Sequence, residues 1–169
     1  MISPEVQQAL ATARATVSLE QEWSMMNHLP AGATAPVRAE VPTEYLELLS
    51  VTDGGVFGRI LVFDVKDVGK MQFYADDTEG ALVPLGHDAW FCFGKVNEDP
   101  LFIKREDGSV WGFPDRGIIW WQSEGFERLA DSLGAFLDEY VFGRRYRYLS
   151  GAPESDQWWR LLLHMGRVE

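Results

Sequence analysis

Apolar positions recur first at helical spacing, then in short dense runs, then at helical spacing again. Val6, Leu10, Ala13 and Val17 trace one face of a helix, with Ser3 as its cap and Pro4 in its first turn. Ser18 and Gln21 have the spacing of a capping box, which predicts a second helix carrying Trp23, Met25 and Met26. Pro30 to Pro36, small residues closed by proline at each end, reads as a linker or surface loop. The rest of the chain is organised around Val41 to Phe63. Pro42 suits a first helical position, where its missing N–H goes unmissed, and Val41 with Leu46 pins the start. Tyr45, Leu48 and Leu49 form one apolar stripe. Gly54 sits where a helix ends in the left-handed region that glycine enters freely, and Gly55 adds a second permissive joint.

The middle of the chain reads as strands. Gly58 to Val65 is nearly all apolar and fits a strand buried on both faces. Met71 to Tyr74 fits a strand or a short helix equally. Asp76 to Gly80 is a loop, Ala81 to Leu85 a short strand, Trp90 to Val96 a stronger one, and Asn97 to Pro100 a turn. Leu101 to Glu106 and Ser109 to Phe113 flank Asp107-Gly108, the pair that a two-residue hairpin turn favours. That register sets Lys104 opposite Trp111, as a cation–π pair, and Phe102 opposite Phe113. After a turn at Pro114 to Gly117, Ile118 to Gln122 reads as a strand whose Trp120 and Trp121 face opposite ways.

Helical spacing then returns. Phe126, Leu129, Ala130, Leu133, Leu137, Tyr140 and Val141 share a stripe, with Ser123-Glu124 as a polar start and Gly143 as a stop. The basic aromatic segment Arg144 to Tyr148 follows. Ser155-Asp156 caps a last short helix with Trp158, Trp159, Leu162 and Met165 on its apolar side and Gly166 at its end. Helices, then turn-linked strands, then helices predict a single α+β domain. Its sheet is mixed but mostly antiparallel, of about five or six strands, with helices packed on one face. Residues 1–40 form an N-terminal helical extension and linker, 41–149 the core, and 150–169 a C-terminal helical extension.

Composition changes the picture in three ways. At 169 residues and 46% hydrophobic, the chain is long enough for a real core. A net charge of -11 argues against direct nucleic-acid binding, which needs a positive field, and favours a basic partner. Aromatic residues at 13% point to a tightly packed sheet, an aromatic contact surface, or both. One cysteine, Cys92, leaves no internal disulfide. The first residues lack the basic and apolar regions of a signal peptide, and no stretch has the length of a membrane span. The expected compartment is the cytoplasm.

Candidate chemistry is sparse. His28, His87 and His164 are scattered rather than spaced as metal ligands. Cys92 lies in a dense aromatic strand, as a buried inert thiol does, and no motif places a base beside it. Gly54 to Gly58 lacks the lysine and spacing of a phosphate loop, and there is no Gly-x-Ser-x-Gly. Asp76 to Gly80 lacks the ligand alternation of a calcium loop. Asp64 with Asp67, and Glu98 with Asp99, read as solvated turns rather than acid–base pairs. The expectation is therefore a non-enzyme with no catalytic residues, metal or cofactor. A small-ligand binder or enzyme would instead need Asp64, Asp67, His87 and Asp88 to converge in a deep pocket.

Pro42-x-x-Tyr45-x-x-Leu48-Leu49 followed by Thr52-Asp53-Gly54-Gly55 resembles the opening of the SUKH superfamily. That superfamily joins a fungal cell-wall synthesis regulator to many bacterial toxin-immunity proteins. Trp90-Phe91-Cys92-Phe93-Gly94 is similar to its central strand. Asp99-Pro100-Leu101-Phe102 leads into a hairpin with Gly108-Ser109-Val110-Trp111, and Phe126 to Val141 with the Phe142-Gly143 stop resembles its closing helix. The likeness covers roughly residues 41–149. It implies an α+β fold and a non-catalytic binding role, as an immunity-type protein that neutralises a basic nuclease or deaminase toxin domain. A regulatory module with a host-protein partner is the alternative. The expected partner-binding residues are Asp76, Asp77, Glu79, Glu98, Asp99, Asp115, Trp111 and Trp121, with carboxylates steering and an indole anchoring. Pro42, Tyr45, Leu49, Gly54, Gly55, Asp107, Gly108 and Gly143 are expected to be structural. Whether the protein is a monomer or a homodimer is left open.

Overall fold

The computed structural model describes residues 1–37, 40–76, 86–114 and 118–169, with the backbone alone at His87. The expected loop residues 77–80, the strand Ala81 to Leu85 and the turn residues 115–117 lie outside the described residues. The fold is α+β, built on one open antiparallel sheet of six strands in the order β1-β2-β3-β4-β5-β6. The strands are β1 (Gly55–Phe57), β2 (Ile60–Val62), β3 (Trp90–Val96), β4 (Asp99–Lys104), β5 (Val110–Gly112) and β6 (Glu127–Ala130). Each pairs with the next in sequence, so the sheet is a simple meander.

Before the sheet come α1 (Pro4–Leu19), α2 (Gln21–Ser24) and α3 (Thr43–Val51). Ser3 caps α1 by accepting the Val6 N–H, as its position predicts. The capping box at Ser18 and Gln21 does not form. The Ser18 hydroxyl donates to the Ala15 carbonyl, and α2 is a single turn without a side-chain cap. Of its apolar residues Trp23 is buried, while Met25 and Met26 are exposed. Pro42 lies one residue outside α3 with extended ψ, and its carbonyl accepts the Leu46 N–H. Tyr45, Leu48 and Leu49 are buried; Leu46 is exposed and pins nothing. The segment from Pro30 is a surface loop tied down by backbone bonds, Ala33 N–H to Leu49 and Asp53 N–H to Ala31. Arg14 adds a clasp, donating to the carbonyls of Leu29, Pro30 and Val51.

The run from Gly58 to Val65 is not one strand. Gly58 and Arg59 turn it back, so Val56 pairs with Leu61 and Phe57 with Ile60. Gly58 has φ +63, the positive value that a tight hairpin needs at its first central residue. The turn is held by both ends of the described chain. The Asn27 carboxamide accepts the Gly58 N–H at 2.8 Å, and the Tyr146 hydroxyl accepts the Arg59 N–H at 3.0 Å. Tyr146 in turn donates to Asp156, which caps α7 (Gln157–His164) by accepting the Trp159 N–H.

The Asp107-Gly108 hairpin also differs from expectation. Lys104 N–H bonds Ser109, so the connection is the longer loop Arg105 to Gly108. The register becomes Phe102 opposite Trp111 and Ile103 opposite Val110. Lys104 therefore sits away from the Trp111 indole and pairs with Glu106 at 3.2 Å. Asp107 is the reason. Its carboxylate accepts both the N–H and the hydroxyl of Ser109, an Asx turn that leaves Arg105 and Glu106 inside the loop.

The largest correction is at Phe126 to Val141. Its first residues form the edge strand β6, with Arg128 opposite Trp111 and Ala130 opposite Val110. Phe126 caps an aromatic cluster with Trp90, Trp111 and Phe113, at ring separations of 5.0, 5.4 and 5.1 Å. Burying that ring beside β5 outweighs the helical spacing of Leu129 and Ala130. The helix starts only at α5 (Leu133–Phe136), capped by Ser132, and widens into a π-helical turn over Leu137–Val141. Ser123 and Glu124 do not start it. Ile118 to Gln122 is likewise not a strand but a loop ending in a 3₁₀ turn, Trp120–Gln122. Gly143 separates the π turn from α6 (Arg145–Ser150), its carbonyl accepting the Tyr146 N–H.

Helices cover one sheet face, through Tyr45 on Phe91 at 5.1 Å and Phe136 on Phe93 at 5.7 Å. The Tyr45 hydroxyl donates to the Phe63 carbonyl at 2.6 Å, and burial pushes its pKa well up, so it stays a neutral donor. At the edge of β3, the 3₁₀ helix Lys70–Ala75 settles the ambiguous 71–74 segment. It covers the stretch of β3 that β2 does not reach. Gln72 imitates a strand there, accepting the Cys92 N–H at 3.0 Å and donating to the Cys92 carbonyl at 2.8 Å. Gln72→Leu keeps the bulk and leaves both groups unpaired. It is expected to lower unfolding stability by about 2 kcal/mol, seen as a lower urea midpoint at unchanged slope.

Candidate protein-docking groove

The 3₁₀ helix that Gln72 fastens to the sheet brings its next two residues to the surface. Phe73 and Tyr74 stack with ring centres 4.2 Å apart, and Tyr74 meets the edge of Trp120 at 5.6 Å. Trp120 is half-buried against Phe113 and meets Trp121 edge-on at 5.9 Å. With Ile118 and Ile119 these rings form one wall of an open groove of about 640 Å³. Phe73, Ile118, Ile119 and Trp121 stay 54%, 48%, 49% and 57% exposed. Four large apolar side chains left in water at one place form a patch of the kind that marks interaction surfaces.

The other wall is the tight turn from β3 to β4, which presents Asn97, Glu98 and Asp99. It is rigidly placed. Asn97 adopts φ +51, its N–H bonds the Arg59 carbonyl, and its carboxamide donates to the Ser150 carbonyl at 3.0 Å. A contact surface that is already ordered loses little entropy on binding. Among the described lining residues the charged side chains are Glu98 and Asp99, and neither is a cation. Lys95 lies 3.7 Å from Glu98, behind the rim. Burial raises the Tyr74 pKa, so this wall carries a neutral phenol at physiological pH.

Of the residues expected from sequence, Glu98, Asp99 and Trp121 thus come together. Asp76 ends the 3₁₀ helix that carries Phe73 and Tyr74, with its N–H on the Phe73 carbonyl. Asp77, Glu79 and Asp115 lie outside the described residues. Trp111 sits elsewhere, half-buried against Trp90 at 5.5 Å, its indole N–H held by the Ser109 hydroxyl. Phe73, Tyr74, Ile118 and Ile119 were not anticipated as contacts. For Ile118 and Ile119 the signal was present in Ile118-Ile119-Trp120-Trp121, four consecutive apolar residues that a half-buried strand does not require.

Other places offer less. A larger hollow of about 940 Å³ near Asp138, Glu139, Arg145 and Arg167 is lined by these groups, which are already joined in pairs. Arg145 pairs with Glu139 at 3.1 Å and Arg167 with Asp138. The basic aromatic segment is similarly occupied, with Arg147 over the Trp159 ring at 5.3 Å and near Glu154. Among the described residues no group of three or more His, Cys, Asp or Glu side chains converges as a metal site would. Cys92 is fully buried, and burial pushes its thiol well above the ordinary pKa, away from the thiolate form. No described helix is long and apolar enough to cross a membrane.

No protein-family model and no curated protein matches the chain.

Proposed function

We propose that this protein is a non-catalytic binding module of the SUKH type, which neutralises a toxin domain by docking it. The observation that carries the reading is the groove, where a preformed aromatic wall faces a turn bearing two carboxylates. Aromatic anchors beside a charged rim are the usual energetic core and steering element of a protein interface. The net charge of -11 adds a long-range attraction for a basic domain, which raises the rate of encounter. Nuclease and deaminase domains have such basic surfaces because they bind nucleic acid. The antiparallel α+β fold is compatible with the resemblance in residues 41–149.

The test is co-expression with a toxin domain encoded beside this gene. Growth is expected to be rescued and the two proteins to co-purify as a complex. No rescue and no complex would dismiss the immunity reading. Capture of a housekeeping protein through the same groove would instead support the regulatory alternative.

A further inference from the structure

We infer that the groove is built to receive a proline-rich segment of the partner, extended as a polyproline II helix. The inference rests on the docking role proposed for this groove and adds the chemistry of the occupant. The polar groups of the β3–β4 turn are already engaged. Asn97 donates its N–H to Arg59 and its carboxamide to Ser150, Glu98 pairs with Lys95 at 3.7 Å, and Asp99 has a partner of its own. The aromatic wall is the reverse. Among the described residues nothing accepts from the Tyr74 hydroxyl or from the indole N–H groups of Trp120 and Trp121. By contrast, the indoles of Trp111 and Trp158 and the hydroxyls of Tyr45, Tyr140 and Tyr146 all donate within the fold. One wall therefore keeps three donors on aromatic rings, while the groups on the other wall are taken.

That asymmetry selects the occupant. An ordinary extended segment brings carbonyls that the donors can bind. It also brings N–H groups that would be covered without an acceptor, which is costly. Proline brings the carbonyl without the N–H. Its rings suit an aromatic-lined groove, and a run of prolines is extended before it binds, so little entropy is lost. The groove volume of about 640 Å³ exceeds one side chain, and Phe73, Ile118 and Ile119 leave apolar surface for the residues on either side. The rim carboxylates then act on the partner's approach and not inside the groove.

The experiment titrates the isotope-labelled protein with two capped peptides, Pro-Pro-Leu-Pro-Pro and Ala-Ala-Leu-Ala-Ala, followed by NMR. The proline peptide is expected to shift the indole N–H signals of Trp120 and Trp121 and the methyl signals of Ile118 and Ile119. It should bind about ten-fold more tightly than the alanine peptide. Tyr74→Phe removes one donor and keeps the ring. It should weaken the proline peptide about five-fold at an unchanged melting temperature. Equal binding of the two peptides, or a Tyr74→Phe protein that binds proline as the parent does, would overturn the proline assignment and leave docking standing. So would a proline peptide that shifts nothing in the groove where the co-expressed toxin domain shifts the same signals. A toxin domain that binds and leaves the groove signals in place would overturn both.

Discussion

Trp158→Ala is expected to destabilise the protein by about 4 kcal/mol, the cost of emptying a fully buried tryptophan site. Trp158 has no exposed surface and packs edge-on to Phe57 at 5.4 Å and against Phe142 at 5.7 Å. Its indole N–H also satisfies the Val141 carbonyl at 2.7 Å, at the end of the π turn. Removing it leaves a cavity and an unpaired buried acceptor together. For a chain of this size the melting temperature should fall by roughly 10 °C. Thermal and urea unfolding measure it. A loss below about 1 kcal/mol would mean that α7 rests on the core without completing it.

Gly54→Val is the second large effect. Gly54 has φ +67, a conformation costing a β-branched residue about 1–3 kcal/mol. A Cβ there would lie 2.5 Å from the Val62 carbonyl oxygen and 2.8 Å from the Asp64 nitrogen. Both are backbone atoms at the end of β2 and just beyond it, so relief requires that segment to move. The combined loss should be about 3 kcal/mol or more. Gly54 is buried between α3 and β2 and does not line the groove. Below its lowered melting temperature, the variant should therefore bind a partner as the parent does. A folded Gly54→Val protein that had lost binding would show that this joint takes part in function.

These two sites show what the sequence made legible. The helix ahead of Gly54 was readable from its apolar stripe, a local signal that tertiary packing reinforces, although it stops at an extended Thr52 and the left-handed Gly54 comes two residues later. The cap at Asp156 and the strand at Trp90–Val96 were readable for the same reason. Phe126 to Val141 was misread because Leu129 and Ala130 happen to keep helical spacing, while the partner that decides the matter, β5, is remote in the pattern. The Gly58-Arg59 turn hid inside an apolar run because its support comes from Asn27, Tyr146 and Asp156, far apart in sequence. The Asp107 hairpin kept its turn residues but lost its register to a side chain, Ser109, that propensity does not weigh.

The groove was half legible for a related reason. Acidic turns and paired tryptophans are visible as residue types, so Glu98, Asp99 and Trp121 stood out. Phe73 did not, because its exposure depends on Gln72 turning inward to Cys92 and leaving the next side chain outside. Trp111 stood out as strongly as Trp121, and only the bond to Ser109 and the ring contacts distinguish them.

The most direct measurement is the affinity of the co-expressed toxin domain for the parent protein and for the double variant Trp121→Ala/Glu98→Lys, by calorimetry. Both residues are on the surface, and Glu98 makes only a 3.7 Å contact with Lys95, so the melting temperature should hold. Losing one aromatic anchor and reversing one rim charge should weaken binding by at least about thirty-fold, with part of the loss in the association rate at low salt. Unchanged affinity in a variant that melts like the parent would contradict the groove as the docking site.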